Sequence, residues 1–311
     1  MKQFENSDSN KRYYTLDYYY RKKFNSKVSK ISLNQNLTCP NIDGTKGTGG
    51  CIYCKHGGSE FGGDKEKSIK EQFDKIKEKL RKKWPNTKYI AYFQSNTNTY
   101  GDIKKLKKNF FEVLTYDDVV GINIATRCDA INDECLDLLD ELNKKTYLTI
   151  ELGLQTMHKK TSDMINRGHS LNEFEDMVKK LQAKDINIVV HIINGLPYET
   201  KDMMIETIKY LNNLKIDGIK IHMLHILKDT AIEKLYKKEH FHILTKEEYV
   251  DIAVSQLEYL DKNIIIHRIT GDPDKNDLIE PTWLIKKFCV LNDIDKEQVK
   301  RDSWQGKKLQ F

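Results

Sequence analysis

No stretch of this sequence approaches the ~20 apolar residues of a membrane-spanning helix, and its amino terminus, MKQFENSDSNKRYYTLDYYY, lacks the uninterrupted apolar segment of a signal peptide. These absences predict a cytoplasmic protein with no membrane partner. Proline is scarce, at 5 of 311 residues, and hydrophobic residues make up 39%, which argues against a disordered or low-complexity chain. A chain of this length buries a sizeable core, as one large α/β domain or a barrel with an appendage. Neither sign of charge dominates: 52 Lys and Arg stand against 46 Asp and Glu, so the net +6 points only weakly to a polyanionic partner. Lys104, Lys105, Lys107 and Lys108, set between Ile103, Leu106 and Phe110, read as the solvated face of a helix. No internal repeat or coiled-coil heptad is evident.

From residue 28 to about 225, short apolar β-rich runs alternate with segments of helical period, which predicts six βα units around parallel strands. The strands are VSKISL from Val28, YIAYFQ ending at Gln94, VVGINIAT, YLTIELGLQ, INIVVHIING and GIKIHML. Their apolar runs suit a sheet buried on both faces. Periodicity alone leaves open an incomplete barrel and a doubly wound open sheet. Beyond residue 230 the pattern turns helix-rich around one more apolar run, IIIHRI. The reading is therefore an arm over 1–27, a βα body over 28–229 and a carboxy-terminal extension over 230–311. The arm interleaves Tyr13, Tyr14, Tyr18, Tyr19 and Tyr20 with Arg and Lys. It serves either as a stacking platform for nucleic acid or as a segment packed on the barrel.

Six cysteines without a secretory signal read as reduced thiols, metal ligands or buried small hydrophobes. Cys128, Cys135 and Cys289 are scattered among apolar residues and read as structural. Cys39, Cys51 and Cys54 crowd into one loop after the first strand, at what would be the carboxy-terminal mouth of a barrel, where catalytic groups sit. Gly44, Gly47, Gly49 and Gly50 let that loop fold tightly. Three thiolates suit an iron-sulfur cluster whose fourth iron is left for an exogenous ligand. A zinc site with His56 as fourth ligand suits the same spacing, and spacing does not separate the two. A redox pair of Cys51 and Cys54 leaves Cys39 unexplained. GTKGTGG lacks the Gly-Lys-Ser/Thr of a phosphate loop.

The loop resembles the long-spaced C-x11-C-x2-C pattern of the bacterial YhcC/YtqA family, a branch of the radical S-adenosylmethionine (SAM) superfamily related to the elongator catalytic subunit. It departs from the commoner C-x3-C-x2-C of that superfamily. The resemblance continues through YYYRKKF, AYFQSNTNTYG, ATRCD, ELGLQT, INRGH, HIINGLPYET, KIHMLHILKDT, HRITGDP and RDSWQG. It implies an α/β fold, a partial (β/α)6 TIM-like barrel with a helix-rich carboxy-terminal extension. It also implies a 4Fe-4S cluster on Cys39, Cys51 and Cys54, with S-adenosylmethionine as co-substrate and an electron donor such as flavodoxin or ferredoxin. Gln94, Thr126, Gln155, Arg167 and His191 resemble positions that line the co-substrate, with contact expected first at Gln155 and Arg167. On a strand, His222 and His225 would point to opposite sides, so a joint metal site is not expected. At most one would face the mouth, beside Lys228 or beside His267 and Arg268.

The relation to elongator implies a tRNA substrate and chemistry at C5 of a wobble uridine. The roughly 80 residues after the sixth strand are too few for an acetyltransferase domain. Removal or remodelling of an existing substituent is therefore the expected reaction. The rival readings are the same radical chemistry on a small metabolite or protein, and a zinc-stabilised RNA-binding adaptor without catalysis.

Overall fold

A computed structural model describes residues 4–55 and 63–309 of the chain. The strands are β1 (Val28–Leu33), β2 (Lys88–Phe93), β3 (Val119–Thr126), β4 (Tyr147–Gln155), β5 (Asn187–Asn194), β6 (Gly218–Met223), β7 (Ile226–Leu227), β8 (Ile265–Arg268) and β9 (Leu278–Glu280). The helices are α1 (Leu16–Phe24), α2 (Ile69–Lys83), α3 (Ile103–Glu112), α4 (Asp133–Asn143), α5 (Lys159–Met164), α6 (Leu171–Gln182), α7 (Lys201–Asn213), α8 (Ala231–Glu239), α9 (Lys246–Tyr259) and α10 (Lys287–Lys300). Seven strands form one parallel sheet in the order β1-β2-β3-β4-β5-β6-β8, while β7 and β9 pair antiparallel apart from it.

The sheet is a curled half-barrel, and its period-2 alternation separates two faces. Ile31, Leu33, Ile122, Ile124, Leu148, Ile150, Leu152, Ile188, Val190, Ile219 and Ile221 join the helix-side core. The alternate positions face the lumen. Helices start where side chains satisfy their free N–H groups. Ser68 with Glu71, Ser170 with Glu173 and Thr245 with Glu248 each form a reciprocal capping box. Among the described residues no helix is long and apolar enough to cross a membrane.

One expectation changes and one open alternative is decided. The run assigned to the extension is β8, which pairs in parallel with β6. Four residues between helices carry too little period to reveal a strand, and the partner strand supplies what the local pattern lacks. The amino-terminal arm does not stand free. Tyr13 and Tyr20 are buried, and Tyr20 packs edge-on against Tyr147 with ring centroids 6.3 Å apart. The Ile266 N–H donates to the Tyr14 carbonyl at 2.8 Å, and helix α1 contacts both sheet edges, β1 and β8. The arm thus closes the gap between the sheet's edges and floors the lumen, so Tyr20 has no face left to stack on a base. Lys22 and Lys23 remain exposed.

Candidate metal centre and lumen

Strand β1 delivers the chain to the mouth of the sheet, where the cysteine loop wraps on itself. The N–H groups of Ile42 and Asp43 donate to the Cys39 carbonyl (2.8 and 3.2 Å), those of Lys46 and Gly47 to Pro40 (2.8 and 3.1 Å), and that of Gly50 to Asn41 (2.8 Å). Glycine suits this wrap for two different reasons. Gly50 has φ +70°, and a Cβ on Gly47 would sit 2.4 Å from Asn41 Oδ1. Asn41 Nδ2 donates to the Asn166 carbonyl (2.6 Å) and approaches Cys51 Sγ at 3.8 Å. Asn166 Nδ2 returns a bond to the Gly50 carbonyl (2.7 Å), and the Ile52 N–H reaches Ile165 (3.0 Å). The loop is thereby pinned to the turn after α5.

The thiols are differentiated. Cys39 and Cys51 are half-buried and Cys54 is exposed. A hydrogen bond from Cys54, helped by Tyr53, the Arg127 charge and Asn41, overcomes burial and lowers the Cys51 pKa to about 6. The same bond, with the charges of Cys51 and Cys39, holds Cys54 well above the usual thiol range. A loop that stabilises one thiolate at neutral pH is prepared for a metal partner. Among the described residues no three His, Cys, Asp or Glu side chains converge closely enough to enclose a single ion. Three thiols in one loop are the donor set of a cluster that binds three of its irons through the protein. His56, the fourth ligand of the zinc reading, lies outside the described residues.

Arg127, which the sequence reading did not single out, lies beside the loop. Its guanidinium holds Asp129 through two bonds of 2.9 Å and donates to the Arg167 carbonyl at 2.8 Å. Its charge acts on Cys51 and Cys54.

The five residues expected to line the co-substrate fall into different settings. Gln155 ends β4 at φ +65°, where the register with β5 shifts, and its amide overlies Gly153. It makes no hydrogen bond through its side chain to any described residue. Gln94 follows β2 and accepts from Ser32 at 2.9 Å. Thr126 shares the helix-side parity of Ile122 and Ile124, and its hydroxyl meets that of Thr99 at 2.5 Å. That position turns it away from the lumen, as strand alternation requires. Arg167 is buried and donates to the carbonyls of Leu154 (2.7 Å), Thr156 (2.6 Å) and, twice, His169 (3.2 and 2.9 Å). Four of its five N–H groups are taken, so it acts as a strut under the mouth. The expected first contact at Arg167 does not match that geometry. His191 is committed to Glu151, with Nε2 2.9 Å from Oε2.

Below the mouth the lumen carries a charged cluster to which nearly every strand contributes. Glu151 on β4 is fully buried and accepts from Lys30 (3.0 Å), Lys220 (2.5 Å), Tyr92 (2.7 Å) and Asn123 (2.8 Å). Burial alone would raise its pKa, but Lys220 and Lys30 reverse this and keep it well below the usual carboxylate value. Burial lowers Lys220 to about 7, against the pull of Glu151 and with the help of Lys30 and Arg268. The sequence signal was a lone charge inside an apolar strand: Lys30 in VSKISL, Glu151 in YLTIELGLQ, Lys220 in GIKIHML.

The expectation for the paired histidines also changes. Strand β6 ends at Met223, so His225 lies beyond it and strand alternation does not apply. His222 and His225 both come within electrostatic reach of Arg268. Lys228 is turned elsewhere, donating to the Asn276 carbonyl at 2.6 Å. Of the remaining cysteines, Cys128 and Cys135 are buried, which pushes each thiol up to about 12. Cys289 is exposed on α10 and is not a core residue.

Comparison with known proteins agrees with this architecture. Residues 42–211 match the Radical SAM superfamily and residues 216–300 the Radical SAM C-terminal domain. The chain is 46% identical to the YtqA protein of Bacillus subtilis over 99% of its own length and 96% of that protein's. At greater distance, it is 22% identical to the tRNA uridine(34) acetyltransferase of Methanocaldococcus jannaschii, over 49% of this chain and 28% of that one. Among solved structures, the archaeal Elp3 of Methanocaldococcus infernus superposes with a TM-score of 0.67 at 16% identity, covering 90% of this chain and 64% of that one. The chain belongs to the radical S-adenosylmethionine superfamily, whose members use a 4Fe-4S cluster and S-adenosylmethionine, and within it to the YtqA/YhcC group related to elongator.

Proposed function

We propose that this protein is a radical enzyme that remodels an existing substituent at C5 of a tRNA wobble uridine, with its cluster held by Cys39, Cys51 and Cys54. The observation that carries the radical chemistry is the mouth loop, which holds Cys39, Cys51 and Cys54 in one wrap pinned by backbone hydrogen bonds. When bound, the cluster supplies one electron to S-adenosylmethionine, which yields methionine and a 5′-deoxyadenosyl radical. The chain's own residues position and exclude. Gln155 at the end of β4 and Gln94 just after β2 are placed to hold polar groups of the co-substrate. Arg167 keeps the end of β4 in place beneath them. The plugged floor of Tyr20 and Tyr147 shuts the lumen from below, so the target enters from the mouth. A small protein such as flavodoxin or ferredoxin is the class of electron donor this chemistry needs.

The tRNA reading draws support from the relation to elongator and from the excess of basic residues. It is tested by comparing modified nucleosides in total tRNA from cells with and without the protein. The expected outcome is a changed ratio of C5-substituted uridines, with the precursor side chain accumulating in the deletion strain. An unchanged wobble-uridine profile would transfer the same radical chemistry to a small metabolite or a protein.

A further inference from the structure

Between the amino-terminal segment, β8 and α10 lies a cavity of about 300 Å³, lined by Thr15, His267, Arg268, Thr270, Gly271 and Lys287 among others. That is the lower end of the range for small-ligand sites. The cavity adjoins the lumen, because His267 belongs to both: its Nδ1 lies 3.5 Å from Lys30 Nζ. Arg268 is exposed and, among the described residues, makes no hydrogen bond or ion pair. Its guanidinium, with no donor matched by a described residue, stands open to an anion beside the cavity. Its neighbours deepen the imbalance. Lys30 and Lys220 already share the single carboxylate of Glu151, and Arg268 adds its charge to that of Lys220. Asp17 and Asp272 line the cavity too, but the first is paired with Arg21 at 2.9 Å and the second with Lys287 at 2.7 Å.

Within electrostatic reach of Arg268, two further buried atoms, His222 Nε2 and His225 Nε2, make no hydrogen bond to any described residue. His225 Nε2 abuts Gly271, where a Cβ would come within 2.0 Å of it. Leaving buried polar atoms unpaired is costly unless a ligand or water completes them. Both rings are held neutral by burial and by Arg268, so each can offer one N–H without adding charge. An open guanidinium, excess positive charge and unpartnered imidazoles together describe a receptor for an oxyanion.

We infer that this corner, centred on Arg268, binds an anionic group of the substrate, a carboxylate or a phosphate, and thereby orients the reacting part toward the mouth. This rests on the radical-enzyme reading above, since it assigns the substrate's anchor to that same lumen.

The test titrates cluster-loaded protein, labelled with ¹³C at histidine Cε1, with sodium acetate and separately with inorganic phosphate at constant ionic strength. The His222 and His225 signals are assigned through His222→Gln and His225→Gln. Saturable shifts of these signals are expected in the wild type. Affinity should be about tenfold weaker in Arg268→Gln, partly restored in Arg268→Lys, and unaltered in Lys228→Gln, whose lysine is bonded elsewhere. Tighter acetate identifies a carboxylate on the substrate's side chain, and tighter phosphate a nucleotide backbone. No shift with either anion, or equal affinity in Arg268→Gln, overturns the inference. Cleavage of S-adenosylmethionine by the same wild-type preparation, measured without anions, reports on the radical reading independently.

Discussion

Replacing Cys39, Cys51 or Cys54 singly by Ala is expected to lower cluster content after anaerobic reconstitution by more than about tenfold, since loss even of a group that only orients a ligand costs that much. The three thiols belong to one loop whose backbone bonds run from Cys39 to Gly50, and whose side chains act on one another electrostatically. Removing any of them leaves an iron without its protein ligand. Cys128→Ala, Cys135→Ala and Cys289→Ala should retain full iron. The first two thiols are buried and held protonated far above neutral pH, and the third is exposed on α10. Iron and acid-labile sulfide per chain, together with the brown chromophore, provide the measurement. Full loading in Cys39→Ala would sink the assignment. Stoichiometric colourless zinc would instead favour the adaptor reading.

The second large effect concerns stability rather than chemistry. Glu151→Leu should cost about 3–5 kcal/mol, because it strips the only carboxylate from a buried site that holds Lys30 and Lys220. For a chain of this size that corresponds to a fall of roughly 5–8 °C in Tm. Tyr92, Asn123 and His191 lose their shared acceptor at the same time. Glu151→Leu combined with Lys220→Met should recover part of the loss, since an apolar pair avoids the uncompensated charge. Thermal unfolding of the single and double variants measures both. A Glu151→Leu protein as stable as the wild type would show that the cluster of charges is solvated and carries no structural weight.

Much of this architecture was legible in the sequence for a physical reason. Strands buried on one face by helices and on the other by the lumen must be apolar at alternate positions, so VSKISL, VVGINIAT and YLTIELGLQ announce themselves, and the structure places all three at those bounds. The glycine-rich loop with three thiols was equally plain. Legibility ended where the third dimension decides. The seventh strand is four residues long and is defined by its pairing with β6, which lies more than forty positions earlier. His225 was misplaced because the end of β6 at Met223 depends on the turn into β7. The role of Arg167 as a strut follows from carbonyls of Leu154, Thr156 and His169 that only the fold assembles around it. The arm's tyrosines could stack or pack by composition. What decides is the gap between β1 and β8 that Tyr20 and its helix fill.

Whether this loop makes the chain a radical enzyme is read from the fate of S-adenosylmethionine. Protein reconstituted anaerobically with iron and sulfide is incubated with S-adenosylmethionine and dithionite, and 5′-deoxyadenosine and methionine are quantified by mass spectrometry. Both products are expected in equal amounts, dependent on reductant and absent from the Cys39→Ala, Cys51→Ala and Cys54→Ala variants. Intact S-adenosylmethionine after incubation with fully iron-loaded, reduced wild-type protein would overturn the radical reading.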